Sequence, residues 1–184
     1  MAKVSFLGLG VMGFPMAGHL SEAGHDVTVF NRTPDKAEKW SKAYTGRTKN
    51  TPYEASLNSE FVMACVGNDS DLRDVCLGEK GAFAGMRSGS IFVDHTTVSE
   101  KVTRELHNYA AGKGIGYVDA PVSGGQAGAV NGQLGIMCGG SISNYKTVED
   151  IIKCYAKVCK RLGPVGSGPV SYTHLRAHET KANL

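Results

Sequence analysis

Apolar and polar positions alternate in blocks whose lengths and periods predict the elements before any motif is considered. Val4 to Leu9 is a short apolar run closing on glycines, the pattern of a parallel strand buried on both faces. Met12, Met16 and Leu20 then recur at helical spacing and Gly24 supplies a stop. Pro15 falls in the first turn of that helix, where its missing N–H costs little. Val27 to Phe30 reads as the next strand. Thr33-Pro34 reads as an N-cap with proline at the first helical position, opening a helix towards Tyr44. Phe61 to Val66, Ser90 to Val93, Tyr117 to Asp119 and Leu134 to Cys138 read as further strands. Ser99 caps an amphipathic charged helix that runs towards Lys113 and is broken by Gly114 and Gly116. Asn144 to Lys160 is predicted as one long helix with Val148, Ile151, Ile152, Tyr155 and Val158 on its apolar face.

This alternation of strand and helix implies an α/β fold: a mainly parallel sheet covered on both faces through right-handed crossovers. No internal repeat or low-complexity linker interrupts it. One compact domain is expected over residues 1–162, followed by a segment of different character.

Composition narrows the partners only a little. With 184 residues, 41% hydrophobic and 20% charged, the chain is ordinary for a globular protein that can bury one substantial core. A net charge of +3 is too small to argue for nucleic acid. Met1 to Leu7 is too short an apolar start for a signal peptide or membrane span. The five cysteines have no CxxC or zinc-like spacing, and their odd number reads as reduced, buried thiols in a cytoplasmic protein. No metal, nucleic-acid or membrane partner is expected.

The candidate chemistry begins at Gly8-Leu9-Gly10-Val11-Met12-Gly13, a GxGxxG that follows a predicted strand and opens a predicted helix. In that setting Gly8 permits a tight turn, Gly10 lets the backbone approach a pyrophosphate, and Gly13 lets helix and strand pack closely. The exposed N–H groups at the helix start suit phosphates. The architecture is therefore read as a Rossmann-type doubly wound fold. At the end of the second strand, where NAD enzymes usually carry an acid for the ribose 2′-hydroxyl, stand Asn31-Arg32-Thr33. A carboxylate would repel a 2′-phosphate, whereas the Arg32 guanidinium can bond to it, so NADP(H) is expected over NAD(H).

The run from Phe6 to Leu20 resembles the N-terminal signature of the 3-hydroxyisobutyrate dehydrogenase family, β-hydroxyacid dehydrogenases related to 6-phosphogluconate dehydrogenase. Four further segments resemble that family in its order. Asn31-Arg32-Thr33 matches its NADP-type motif. Val66-Gly67-Asn68-Asp69-Ser70-Asp71 matches a loop along the cofactor, which implies contacts from Val66, Gly67 and Asp71. Asp94-His95-Thr96-Thr97 matches a segment whose last residue, Thr97, approaches the nicotinamide end. Asp119 to Gly125 matches the substrate motif, in which Ser123 and the Gly124 and Gly125 amides hold a carboxylate. A hydroxyl followed by two glycines supplies neutral donors with no side chain in the way. Read without the resemblance, the same three residues are a plain turn.

The other candidates have plainer readings. His95 reads as locally hydrogen-bonded and His19 as structural packing. His174 and His178 lack a third ligand and an HExxH spacing, so they are read as accidental.

The resemblance stops near Gly168. Gly163-Pro164-Val165-Gly166-Ser167-Gly168 (163–168) resembles the start of the family's interdomain segment. The family's general acid/base lysine is expected four residues later, where Tyr172 stands, with Leu175 in place of an asparagine. Lys181 and Asn183 have the wrong spacing. On this reading the family's C-terminal all-helical domain is missing, 169–184 is a non-family tail that is not native continuation, and no catalytic residue is expected in the chain. The chain is expected to bind cofactor with negligible turnover alone. A longer parent, expected to be a homo-oligomer, would interconvert a small β-hydroxyacid and its semialdehyde. The alternatives are a non-catalytic NADP-binding module and an imine reductase-like enzyme, the second disfavoured because Ser123-Gly124-Gly125 suits a carboxylate.

Overall fold

The computed structural model describes residues 1–168. The elements in chain order are β1 (Lys3–Leu7), α1 (Gly13–Glu22), β2 (Asp26–Phe30), α2 (Pro34–Ala43), β3 (Arg47–Thr48), α3 (Pro52–Ser56), β4 (Phe61–Ala64), α4 (Asp69–Leu77) and α5 (Ala82–Gly85). There follow β5 (Ile91–Asp94), α6 (Glu100–Gly112), β6 (Gly116–Asp119), β7 (Val122–Ser123), α7 (Gly125–Val130), β8 (Leu134–Gly140), α8 (Ile142–Ile152) and β9 (Ala156–Gly163).

All these strands form one sheet, in which the first six run parallel in the order β3-β2-β1-β4-β5-β6. This is the doubly wound order of dinucleotide-binding sheets. Strand β8 then adds antiparallel to β6 and β7, and β9 pairs parallel to β8. The chain leaves β1 in one direction to build β2 and β3 and returns past it to build β4. A crevice is therefore required beyond the carboxyl ends of β1 and β4.

The continuous apolar runs arise because successive strand residues enter different cores. Val4, Phe6, Phe61, Met63, Ile91 and Val93 belong to the cluster under α1, α2 and α8. Leu7, Val62, Ala64 and Phe92 belong to the opposite cluster with Leu72, Phe83, Val102, Leu106 and Tyr117. Each large apolar side chain buried in this way contributes about 1.5–3 kcal/mol.

The helix predicted over Asn144 to Lys160 is corrected. It starts earlier, at Ile142, where the Ser141 hydroxyl accepts from Asn144 N–H at 3.1 Å, and it ends at Ile152. Tyr155 is fully buried in the following turn, and Ala156 onward is strand, with Val158 48% exposed. The helical period continues by coincidence through Tyr155. Hydrogen bonding to β8, which no local pattern encodes, decides the remainder. Lys157 and Lys160 on β9 suit a sheet edge. The Phe61–Val66 strand also ends early, at Ala64, leaving Cys65 and Val66 to turn into the crevice. The cysteines are all free, but only Cys76 and Cys138 are fully buried; Cys65, Cys154 and Cys159 are half-buried, because they sit at strand ends and on the β9 edge. Among the described residues no helix is long and apolar enough to cross a membrane.

Candidate functional site

The glycine turn is shaped by close contacts that a side chain would break. Gly8 has φ +97°, and a Cβ on it would collide with the Cys65 carbonyl at the end of β4. A Cβ on Gly13 would collide with the Gly8 carbonyl and crowd Phe6, so α1 can lie this close to β1 only without one. At Gly10 nothing lies within 4 Å, and that face of the turn opens into the crevice. The tight turn at Gly8 and the close packing at Gly13 are as expected, and Gly10 leaves its face of the turn open.

Asn31 locks the turn to the second strand. Its Oδ1 accepts from Leu9 N–H at 2.8 Å, and its Nδ2 donates to Thr33 O at 2.9 Å. A neutral amide that both accepts and donates does this work. Leu9 takes part only through its backbone, since its side chain is in the core.

Two adjoining clefts follow the carboxyl edge of the sheet. The first, about 570 Å³, is lined by Gly8, Gly10 to Gly13, Asn31, Arg32, Thr33, Val66, Gly67 and Asp71 among others. The second, about 370 Å³, is lined by Met12, His95, Thr96, Thr97, Ser123, Gly124 and Gly125. Met12, Cys65, Val66 and Gly67 line both, so the two form one trough. The structure thus brings together every sequence-predicted site residue it describes except the Leu9 side chain. Tyr172, Leu175, His174, His178, Lys181 and Asn183 lie outside the described residues.

The far wall of the trough rests on buried polar residues. Asp94 Oδ1 accepts from Thr96 N–H at 2.9 Å and its Oδ2 from Tyr117 O–H at 3.0 Å. Thr96 Oγ1 in turn accepts from Val66 N–H at 3.2 Å, which orients the loop shared by the two clefts. Burial pushes the Asp94 carboxyl up to about 7, opposed by the Thr96 and Tyr117 donors. His95 lies 2.8 Å from Ala120 O through Nδ1 and 2.8 Å from the Tyr155 hydroxyl through Nε2. A carbonyl only accepts, so Nδ1 carries the proton and Nε2 receives the tyrosine hydroxyl. Burial holds its pKa down to about 4, so the ring is neutral and its one proton is committed. Both ring nitrogens are thus taken up by local hydrogen bonds.

In the same cleft, Gly124 and Gly125 adopt φ +118° and +59°, conformations that suit glycine, and Ser123 lines the cleft beside them. Helix α7 behind them is fastened to α1 by His19, whose Nε2 lies 3.0 Å from Ala129 O and 3.1 Å from Val130 O. The histidine read as packing therefore joins the helix of the glycine turn to the serine–glycine turn.

Sequence reasoning missed several lining residues of the first cleft: Lys36, Asp74, Glu79, Lys80 and Cys65. Lys36 had a signal, since it sits in the first turn of the helix that Thr33-Pro34 announces, on the side of Arg32. Asp74, Glu79 and Lys80 face the crevice only because α4 and the segment after it fold back along its edge, and Cys65 faces it from the end of β4. Burial pushes the Cys65 thiol up to about 12, so it lines the trough as a neutral wall.

Residues 3–163 match the family described as the NAD binding domain of 6-phosphogluconate dehydrogenase. A Shewanella frigidimarina protein described as an uncharacterized oxidoreductase is 53% identical over 93% of this chain and 59% of its own length. An Arabidopsis thaliana protein described as probable 3-hydroxyisobutyrate dehydrogenase-like 1, mitochondrial, is 39% identical over 90% of the chain and 49% of its own. Among solved structures, Mycobacterium tuberculosis 3-hydroxyisobutyrate dehydrogenase with L-serine superimposes with a TM-score of 0.88 at 30% identity, covering 94% of this chain and 58% of that one. The chain thus spans between half and three-fifths of the length of these relatives. The glycine turn, the doubly wound sheet and the trough at its carboxyl edge all lie within the matched residues, and the chain belongs to the family of the NAD binding domain of 6-phosphogluconate dehydrogenase.

Proposed function

We propose that this chain is the NADP(H)-holding part of a 3-hydroxyacid dehydrogenase or semialdehyde reductase, with the dinucleotide-binding domain over 1–162 and 163–168 leading onward. The observation that carries this reading is the continuity of the trough from the Arg32 rim, past the glycine turn, to Ser123. A dinucleotide with a small acid beside it is the kind of ligand such a shape fits.

The residues present suit that cofactor. The open face at Gly10 admits a pyrophosphate to the start of α1. Arg32, Thr33 and Lys36 line the end where an adenosine 2′-phosphate would lie, and no carboxylate stands at Asn31 to take a free 2′-hydroxyl. When bound, the nicotinamide would supply the hydride acceptor or donor of the reaction. The chain's own part is to hold and exclude. Ser123 and the amides of Gly124 and Gly125 offer neutral donors to a carboxylate, Thr97 borders the same cleft, and neutral His95 and Cys65 add no charge there. A small β-hydroxyacid or its semialdehyde is the substrate class this set favours. The free cysteines fit a reducing compartment, and the cytoplasm is the proposed location.

Titration of the purified chain with NADPH and NADH tests the cofactor assignment. NADPH is expected to bind tighter, and Arg32→Ala to weaken it about 10- to 100-fold while leaving NADH nearly unchanged, as the loss of a charged hydrogen bond requires. Equal or tighter NADH binding by the wild-type chain would overturn the assignment.

A further inference from the structure

The arginine that would recognise a 2′-phosphate already has an anionic partner across the trough. Arg32 follows β2 and Asp71 sits in the first turn of α4, so the two stand on opposite walls of the first cleft. Arg32 Nη1 donates to Asp71 Oδ1 at 2.7 Å. The partners are unequally held. The Arg32 side chain is 81% exposed and the Asp71 side chain 23%. Asp71 N–H donates to Asn68 Oδ1 at 3.0 Å, and Asn68 Nδ2 donates to Asp71 Oδ2 at 3.1 Å. The carboxylate is thus fixed to the start of α4, and the guanidinium is the partner able to leave. The remaining charged side chains facing this cleft are Lys36 on α2, Asp74 on α4, and Glu79 and Lys80 beyond it.

We infer that Asp71 is a specificity-determining residue that occupies the Arg32 guanidinium in the free protein and so reduces the preference for a 2′-phosphorylated dinucleotide. The inference rests on the NADP(H) reading above. A 2′-phosphate must draw Arg32 away from Asp71 or share it, and it then lies close to a carboxylate of its own sign. A dinucleotide without that phosphate leaves the pair intact and meets no such competition. The pair is exposed on one side and screened by salt, so the competition is modest. Removing the Asp71 charge should tighten binding of 2′-phosphorylated ligands by roughly two- to fivefold.

The experiment is a set of titrations of the chain and its variants with NADP, 2′,5′-ADP, NAD and 5′-AMP, at low salt and at high salt. Asp71→Asn is expected to tighten NADP and 2′,5′-ADP by that factor relative to NAD and 5′-AMP. The gain should vanish at high salt and in an Arg32→Ala background. Asp71→Ser, which removes the charge but keeps the backbone bond to Asn68, should behave alike and covers the case in which Asp71→Asn folds poorly. Unchanged or weaker NADP binding in both variants would overturn the inference. Weaker NAD and 5′-AMP binding would also overturn it, by showing Asp71 to be an acceptor for the ribose instead. Failure of Arg32→Ala alone to weaken NADP would instead reject the cofactor reading, which keeps the two claims separable.

Discussion

Asp94 shows how one residue at the foot of the trough couples burial to the shape of the site. Its carboxyl is fully buried, it positions Thr96, and Thr96 positions Val66. Burial raises its pKa to about 7, so over the range from an ordinary carboxylate value up to 7 the folded state holds a proton that the unfolded state has released. Its contribution is complete when protonated and is lost as pH rises through that range, on the order of a few kcal/mol. His95 beside it acts with the opposite sign. Its pKa is lowered to about 4, so its contribution is present above the ordinary histidine value and lost as pH falls towards 4. Asp94→Asn removes only the first effect. Its thermal midpoint should gain on the wild type as pH is raised from 5 to 8, and a difference independent of pH would contradict the assignment.

At the scale of elements, legibility followed the strength of the local signal. Ser99 caps α6 as read, its hydroxyl accepting from Val102 N–H at 3.4 Å, whereas Thr33 stands at the N-cap position of α2 before Pro34 but its side chain makes no cap hydrogen bond. Short elements without a period, namely α5, α7, β3 and β7, left no pattern to read, whereas Thr51-Pro52 announced α3, the Thr51 hydroxyl accepting from Glu54 N–H at 3.1 Å. Asn68 did announce α4 by the same chemistry, its side chain accepting from Asp71 N–H, and Ser141 announced α8 three residues before the expected start at Asn144. Ser141→Ala should lower stability by about 1 kcal/mol, as loss of an N-cap does. Urea denaturation checks this, and a loss indistinguishable from zero would mean that water serves the Asn144 amide equally well.

At the scale of the whole molecule, the trough exists because segments more than a hundred residues apart meet at one edge of a sheet. The two cores hold that edge together from either side. Phe92 lies at the centre of one of them, fully buried, with ring centroids 5.0 Å from Phe83 and 5.6 Å from Tyr117. Phe92→Ala should cost about 3–5 kcal/mol through lost burial and the cavity it leaves. Trp40 is the chain's one tryptophan and is fully buried on the other side of the sheet, so its fluorescence reports whether that loss reaches both cores. A single transition shifted to lower denaturant is expected; two separate transitions would show that the cores unfold independently.

The family resemblance named the trough residues from Val66 onward, since Ser123-Gly124-Gly125 reads as a plain turn without it; by itself the sequence determined the glycine turn, the main strands and the capped helix starts. Each of these depends on a local rule: glycines spaced GxGxxG between a strand and a helix, an apolar run too short for a helix, a cap residue before a turn. Tertiary structure alone decided that residues after Tyr155 form a strand on the sheet edge, that His19 fastens α7 to α1, and that Arg32 meets Asp71 across the cleft. Those outcomes depend on partners distant in the chain. The free energy of a hydrogen bond or ion pair exists only once folding brings its two ends within reach, and neither end carries the identity of the other in its local pattern.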